Sequence, residues 1–190
     1  MIVRCAWGDS TPDYVEYHDT EWGVELRGES EMFERLCLES FQSGLSWITI
    51  LRKREAFRRA FGGFKPAVVA EYGDDDVERL MVDASIVRNR AKINAAVRNA
   101  QAVVDLGEPF DELLWSFAPS GEGRVRPETL ADVPAVTAES KAMAKELKRR
   151  GFVFFGPITA YALMQATGMV DDHVVTCFRA VEADSGVTAG

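Results

Sequence analysis

Apolar residues recur three and four positions apart along most of this chain, and that interval commits it to helices. From Glu31 to Phe41, the residues Met32, Phe33, Leu36, Cys37 and Phe41 fall on one stripe, the period of a helix that buries one face. A second helix is expected from "SWITILRKREAFRRAF" after Gly44. "DDDVERLMVDA" carries acids at its N-terminal end, where the helix dipole favours them. "RAKINAAVRNAQAVVDL", "FDELLWSF", "TAESKAMAKELKRRG" with Thr137 as N-cap, and "GPITAYALMQATG" complete the helical segments. "APSGEGRVRPE" at 118–128 has loop composition, and "FVFF" at 152–155 reads as one short strand. The fold class is all-α, a single domain over 1–180 with a loose tail at 181–190.

No apolar run reaches the ~20 residues of a membrane span. The N-terminus "MIVRCAWGDS" has no secretory signal, so a cytoplasmic protein with no membrane partner is expected; a monomer is expected as well. Three cysteines are too few for a disulfide framework and read as core thiols, nucleophiles or metal ligands. The formal net charge of -8 describes solubility rather than what one face binds. The bases cluster in "RKREAFRR" (52–59), "RNRAK" (88–92) and "KELKRR" (145–150), and each cluster is also what a solvated helix face looks like.

Four features carry chemistry. His18 and His173 are the two histidines, and each has a cysteine in its own terminal segment, Cys5 and Cys177. Two thiolates and two imidazoles suit a closed, structural zinc site; a core histidine beside a buried thiol is the competing account. Trp7, Tyr14, Tyr17, Trp22 and Trp47 crowd the first 47 residues. They are either core packing or the walls of a pocket for a flat, cationic ligand. Glu39 lies along the apolar stripe of its helix, where a carboxylate is costly unless paired. It is a solvated edge residue or a pocket base or acceptor. "LMVDASIVRNRAKI" at 80–93 places a tight turn at Ser85 and Ile86 and a new helix start near Arg88. A helix N-terminus with Arg88, Arg90 and Lys92 beside it can hold phosphate, or the segment is a plain connection with its bases in water.

The blocks "YHDTEWGV", "CLESFQSGLSWITILRKRE", "DASIVRNRAKI", "GFVFFGP" and "YALMQATGMVDDHVVTC" together closely resemble the 3-methyladenine DNA glycosylase I family, from Cys5 to about Cys177. The resemblance implies a helix-hairpin-helix glycosylase fold, with the hairpin element at about 75–105. It implies one structural zinc on Cys5, His18, His173 and Cys177, fastening the terminal segments at about 1–25 and 168–180. It also implies a base pocket of Glu39, Tyr14, Tyr17, Trp22 and Trp47 with Trp7 close by, Leu45 as a wedge, and DNA contacts from Ser85, Ile86, Val87, Arg88, Arg90 and Lys92. The implied reaction is monofunctional hydrolysis of the N-glycosidic bond of 3-methyladenine in double-stranded DNA, leaving an abasic site in base excision repair. A non-catalytic relative that senses alkylation damage is the alternative. A zinc hydrolase is a weaker one, since four ligands leave no position for water. The sequence departs from the family's usual pattern at Ser85, where glycine is common, and at Ser40 and Ser43 beside the pocket.

Overall fold

The computed structural model describes residues 2–120 and 124–180. Among them every regular element is helical: α1 Pro12–Thr20, α2 Glu29–Gln42, α3 Trp47–Ala60, α4 Pro66–Val69, α5 Asp74–Val82, α6 Arg90–Val104, α7 Phe110–Trp115, α8 Ala138–Arg149 and α9 Pro157–Ala166. None is long and apolar enough to cross a membrane. The tail expected at 181–190 lies outside the described residues, as do 121–123 of the 118–128 loop.

Helix α2 is the axis of the fold. It is buried without a break from Met32 to Phe41, so the stripe read from sequence extends right round the helix. Neighbours α3, α6, α7 and α9 enclose it. Phe41 packs on Phe57 with ring centroids 4.7 Å apart, and Phe61 stacks on Phe64 at 5.4 Å. Each fully buried phenylalanine contributes about 2–3 kcal/mol, and this group anchors the C-terminal half of α2 against α3.

Local capping sets the other boundaries. Thr11 caps α1, accepting from the Tyr14 amide at 3.3 Å, with Pro12 in the first turn. Thr137 caps α8 as expected, accepting from the Ser140 amide at 3.2 Å. Helix α6 starts at Arg90, the first residue of the helical segment read from sequence, because the Asn89 side chain accepts from the Lys92 amide at 3.1 Å.

The strand expected at 152–155 is not formed. The Val153 amide donates to the side-chain oxygen of Asn99 at 2.8 Å, and its carbonyl accepts from the Asn99 amide at 3.0 Å. A side chain of α6 thus takes the place of a partner strand. Phe154 then turns to φ 58, in the left-handed region and outside any extended conformation.

The two ends of the chain meet. The Phe178 amide donates to the Val3 carbonyl at 2.8 Å, the Gly23 amide to Gln165 at 3.0 Å, and the Leu26 amide to Thr167 at 3.1 Å. Gly168 makes the last contact possible: at φ +74, its absent Cβ would lie 2.5 Å from the Val24 carbonyl carbon.

Candidate active site and cysteine–histidine cluster

A cavity of about 380 Å³ opens where α1, α2, α3 and α9 converge. Tyr14 and Tyr17 enter from α1, Trp7 and Trp22 from the segments flanking it, Glu39 from α2 and Trp47 from α3. The five aromatic residues singled out in the sequence and the glutamate therefore line one space. Trp7 is the hub of the wall, with its ring edge-on to Tyr14 at 5.5 Å and to Trp22 at 5.1 Å. Tyr17 meets Trp47 at 5.4 Å. Gln42, Gln165, Ala162, Leu130 and Val133 complete the lining and were not anticipated. Gln42 was within reach of the sequence, since it follows Glu39 by three positions on the same helix face. Leu130 and Val133 sit in and after a short 3-10 turn outside any periodic segment.

Three charged side chains are buried on α2, and their fates differ. Glu34 accepts from Arg58 at 2.8 and 2.9 Å. Arg35 is paired with Glu21, which also receives Arg54 at 2.6 and 2.8 Å. Glu39, 6 % exposed, makes no hydrogen bond among the described residues. Burial pushes its carboxyl up to about 7, opposed only by the charge of Arg35. Two other groups in the wall are also incompletely used. The Trp47 indole N–H is buried without a partner. The Tyr14 hydroxyl oxygen accepts from the Ile48 amide at 3.0 Å, which leaves its own proton to donate. The cavity combines aromatic faces, an unpaired acceptor and spare donors, which suits a flat cationic heterocycle bearing N–H groups.

Behind Trp7 and Trp22 lies a second, closed constellation. Cys5, His18 and Cys177 bring their ligand atoms within 4.8 Å of one another, all buried. His18 Nε2 is 3.5 Å from Cys177 Sγ, against about 3.6 Å between nitrogen and sulfur ligands of a tetrahedral zinc. His173 stands just outside this trio, its ring centroid 4.9 Å from that of His18, with a buried Nε2 that has no partner. Both Nδ1 atoms are tied to carboxylates, His18 to Asp19 at 2.9 Å and His173 to Asp171 at 2.7 Å. Arg4 and Arg126 hold those carboxylates in turn, Arg4 on Asp19 at 2.7 Å and Arg126 on Asp171 at 2.7 Å. That arrangement fixes each ring through its Nδ1; His173 Nε2 is left without a partner, while His18 Nε2 also accepts from the Cys5 amide at 3.4 Å. Cys37 is a buried core residue of α2, as its place on the stripe indicated.

The expected DNA-contacting residues divide. Leu45 projects from the α2–α3 turn, 42 % exposed, after Gly44 at φ +80. Arg88 is exposed and Val87 half-buried on the 83–89 connection. Ser85 is not strained: its φ is not in the left-handed region, and Asp83 Oδ1 accepts from its amide at 2.8 Å and its hydroxyl at 2.5 Å. Ile86 lies in the turn as expected, with its side chain buried in the main core; one expectation is corrected. Lys92 is buried too, its Nζ donating to the Phe41 carbonyl at 2.8 Å and the Ser43 carbonyl at 2.5 Å. It caps the C-terminal end of α2 rather than facing phosphate. Arg90 is exposed but engaged by Glu78 at 2.7 Å.

Residues 7–180 match the family model described as methyladenine glycosylase. The chain is 46% identical to DNA-3-methyladenine glycosylase 1 of Escherichia coli over 179 residues, covering 93% of this chain and 96% of that one. It is 43% identical to DNA-3-methyladenine glycosylase of Haemophilus influenzae, covering 93% and 97%. A crystal structure of 3-methyladenine DNA glycosylase I superposes with a TM-score of 0.87 at 43% identity over 93% of this chain and 98% of that one. The Staphylococcus aureus enzyme, described for its recognition of 3-methyladenine, gives 0.85 at 36% identity over 92% and 95%. On the extent of these matches and the all-helical architecture they share, the chain is a member of the methyladenine glycosylase family.

Proposed function

We propose that this chain is a DNA repair glycosylase that takes 3-methyladenine out of duplex DNA and hydrolyses its N-glycosidic bond. The observation that carries the reading is the unpaired, buried Glu39 in a cavity walled by Trp7, Tyr14, Tyr17, Trp22 and Trp47. Adenine alkylated at N3 is cationic in DNA, and cleavage releases it as a neutral base. The glycosidic bond is therefore already weak, and the protein's task is to extract the nucleotide and hold it outside the stack. Aromatic faces favour the cation. Glu39 accepts from the purine N–H donors, and the charge of the base restores the carboxylate that burial otherwise disfavours. The bond between C1′ and the base breaks with its electron pair going to the base. Water adds its oxygen to C1′ and gives a proton to solvent, leaving an abasic site. No lysine nucleophile is required.

Around the cavity we assign Leu45 as the wedge that fills the vacated place in the duplex. The α5–connection–α6 element acts as a helix-hairpin-helix that meets the DNA backbone through Ser85, Val87 and Arg88. Cys5, His18, His173 and Cys177 are assigned to one structural zinc. The orphaned Nε2 of His173 and the tetrahedral edge between His18 and Cys177 support that assignment. Bound there, zinc supplies no chemistry to the reaction; it holds the segment bearing Trp7 and Trp22. The chain is taken to act as a cytoplasmic monomer.

The test is incubation of the purified protein with methylated duplex DNA and chromatographic detection of free 3-methyladenine without added cofactor. Release no faster than the spontaneous loss ends the proposal.

A further inference from the structure

A second cavity, of about 800 Å³, is lined by Ser43 at the start of the α2–α3 turn, by α6 and α8, and by the 151–156 connection. Gln42 lines the aromatic cavity and its neighbour Ser43 lines this one. The two cavities are thus lined by consecutive residues at the C-terminal end of α2, just before Leu45. Arg98 of α6 and Lys148 of α8 line the second cavity, and no carboxylate among its described lining residues opposes them. Both are exposed and form no ion pair among the described residues, whereas the adjoining Arg149 and Arg150 are engaged by Glu146 at 2.5 and 2.7 Å. In a chain of formal net charge -8 this concentrates positive charge at one groove.

The groove also presents a fixed aromatic surface. Phe154 is 46 % exposed and sits at φ 58, a conformation that a phenylalanine adopts only when its surroundings impose it. They do so here: Asn99 holds both backbone polar groups of Val153 at 2.8 and 3.0 Å. A large apolar ring is thus displayed to solvent on a pinned backbone beside two unpaired cations. Bases stack on such surfaces without regard to sequence, while cations follow the phosphates.

We propose that this groove binds the DNA strand opposite the flipped nucleotide, with Arg98 and Lys148 on its phosphates and Phe154 against the base left without a partner. The inference rests on the reading that the chain extracts a base from duplex DNA. It adds that the strand left behind has a site of its own, separate from the base pocket.

The experiment compares wild type, the Arg98→Gln/Lys148→Gln double variant and Phe154→Gly. Each is measured against a duplex carrying a tetrahydrofuran abasic analogue and against the analogue-bearing single strand alone. Loss of two phosphate contacts weakens duplex binding about tenfold near physiological salt and reduces the slope of log K against log salt by about 2. Phe154→Gly weakens duplex binding about tenfold through lost stacking. It keeps the fold, because glycine adopts this φ freely. Single-strand affinity and binding of free 3-methyladenine, followed by tryptophan fluorescence, stay at wild-type values. Unchanged duplex affinity overturns the proposal, as does equal weakening of duplex and single strand. Failure of the glycosylase reading looks different: the wild type then releases no base, while its preference for duplex over single strand still depends on Arg98 and Lys148.

Discussion

The aromatic cavity and the cysteine–histidine cluster share a wall, yet they treat buried polar atoms in opposite ways. His18 lies 5.2 Å from Trp7 and His173 4.7 Å from Trp22, ring to ring. In the cluster, the ligand atoms of Cys5, His18 and Cys177 converge within 4.8 Å with His173 just outside, and carboxylates fix the orientation of both histidines. In the cavity, the carboxylate of Glu39, the N–H of Trp47 and the proton of Tyr14 face an open space with partners missing. A closed set of ligands describes a fastener, and an open set of unmet hydrogen bonds describes a binding site. Burial alone does not separate them; what separates them is whether the polar atoms face one another or an open cavity.

The largest effect tests the fastener. Cys177→Ser is expected to lose about one equivalent of zinc by elemental analysis. It should also lower the thermal midpoint by about 10 °C, which corresponds to roughly 3–4 kcal/mol in a domain of this size. A metal-free wild type, or a variant of equal stability, would return the histidines to ordinary core packing and dissolve the contrast.

Glu39→Gln tests the cavity in two measurements. Excision of 3-methyladenine should fall about a hundredfold, the worth of a hydrogen bond to a charged group. Stability should move the other way. The carboxyl is held at about 7 in the folded chain against an ordinary 4.5. The native state therefore keeps a proton that the unfolded chain has lost between those pH values. Wild-type stability falls as pH rises through that window, and the deficit is complete above about 7. Glutamine removes it, so the variant should gain roughly 3 kcal/mol above neutral pH and nothing below about pH 4.5. Chemical denaturation at several pH values reads this directly; a variant less stable at every pH would mean that Glu39 has a structural partner.

Trp47→Phe keeps the aromatic face and deletes the unpaired N–H. Affinity for free 3-methyladenine should drop about threefold to tenfold, one neutral hydrogen bond, with little change in thermal midpoint. The smallest effect lies away from both sites. Ser85→Gly should cost about 0.5–1 kcal/mol through chain entropy, because the turn already satisfies serine and does not call for a left-handed residue. A stabilised variant would show strain there.

What the sequence revealed followed from local patterns. A carboxylate on an apolar stripe marked Glu39, and scarcity marked the two histidines. The helices came from periodicity, and Thr137 from its capping chemistry. The misreadings came from contacts between distant elements. Lys92 looks like a phosphate ligand until α6 is laid against the end of α2, whose carbonyls claim it. "FVFF" has strand composition, but Asn99 offers its hydrogen bonds without a neighbouring strand. The groove around Phe154 was invisible for the same reason, since it exists only where α6, α8 and the α2–α3 turn come together.

The meeting of the chain ends sets an order of assembly. Cys5 and Cys177 are contact partners from opposite ends of the sequence, and contacts of such separation carry the largest loop-closure entropy and form late. Trp7, the hub of the aromatic wall, packs against that late contact. During synthesis the helical core around α2 can consolidate while the wall waits for the final residues to emerge. A chain cut short before Cys177 would keep much of its buried core and lack the surface on which its ligand rests.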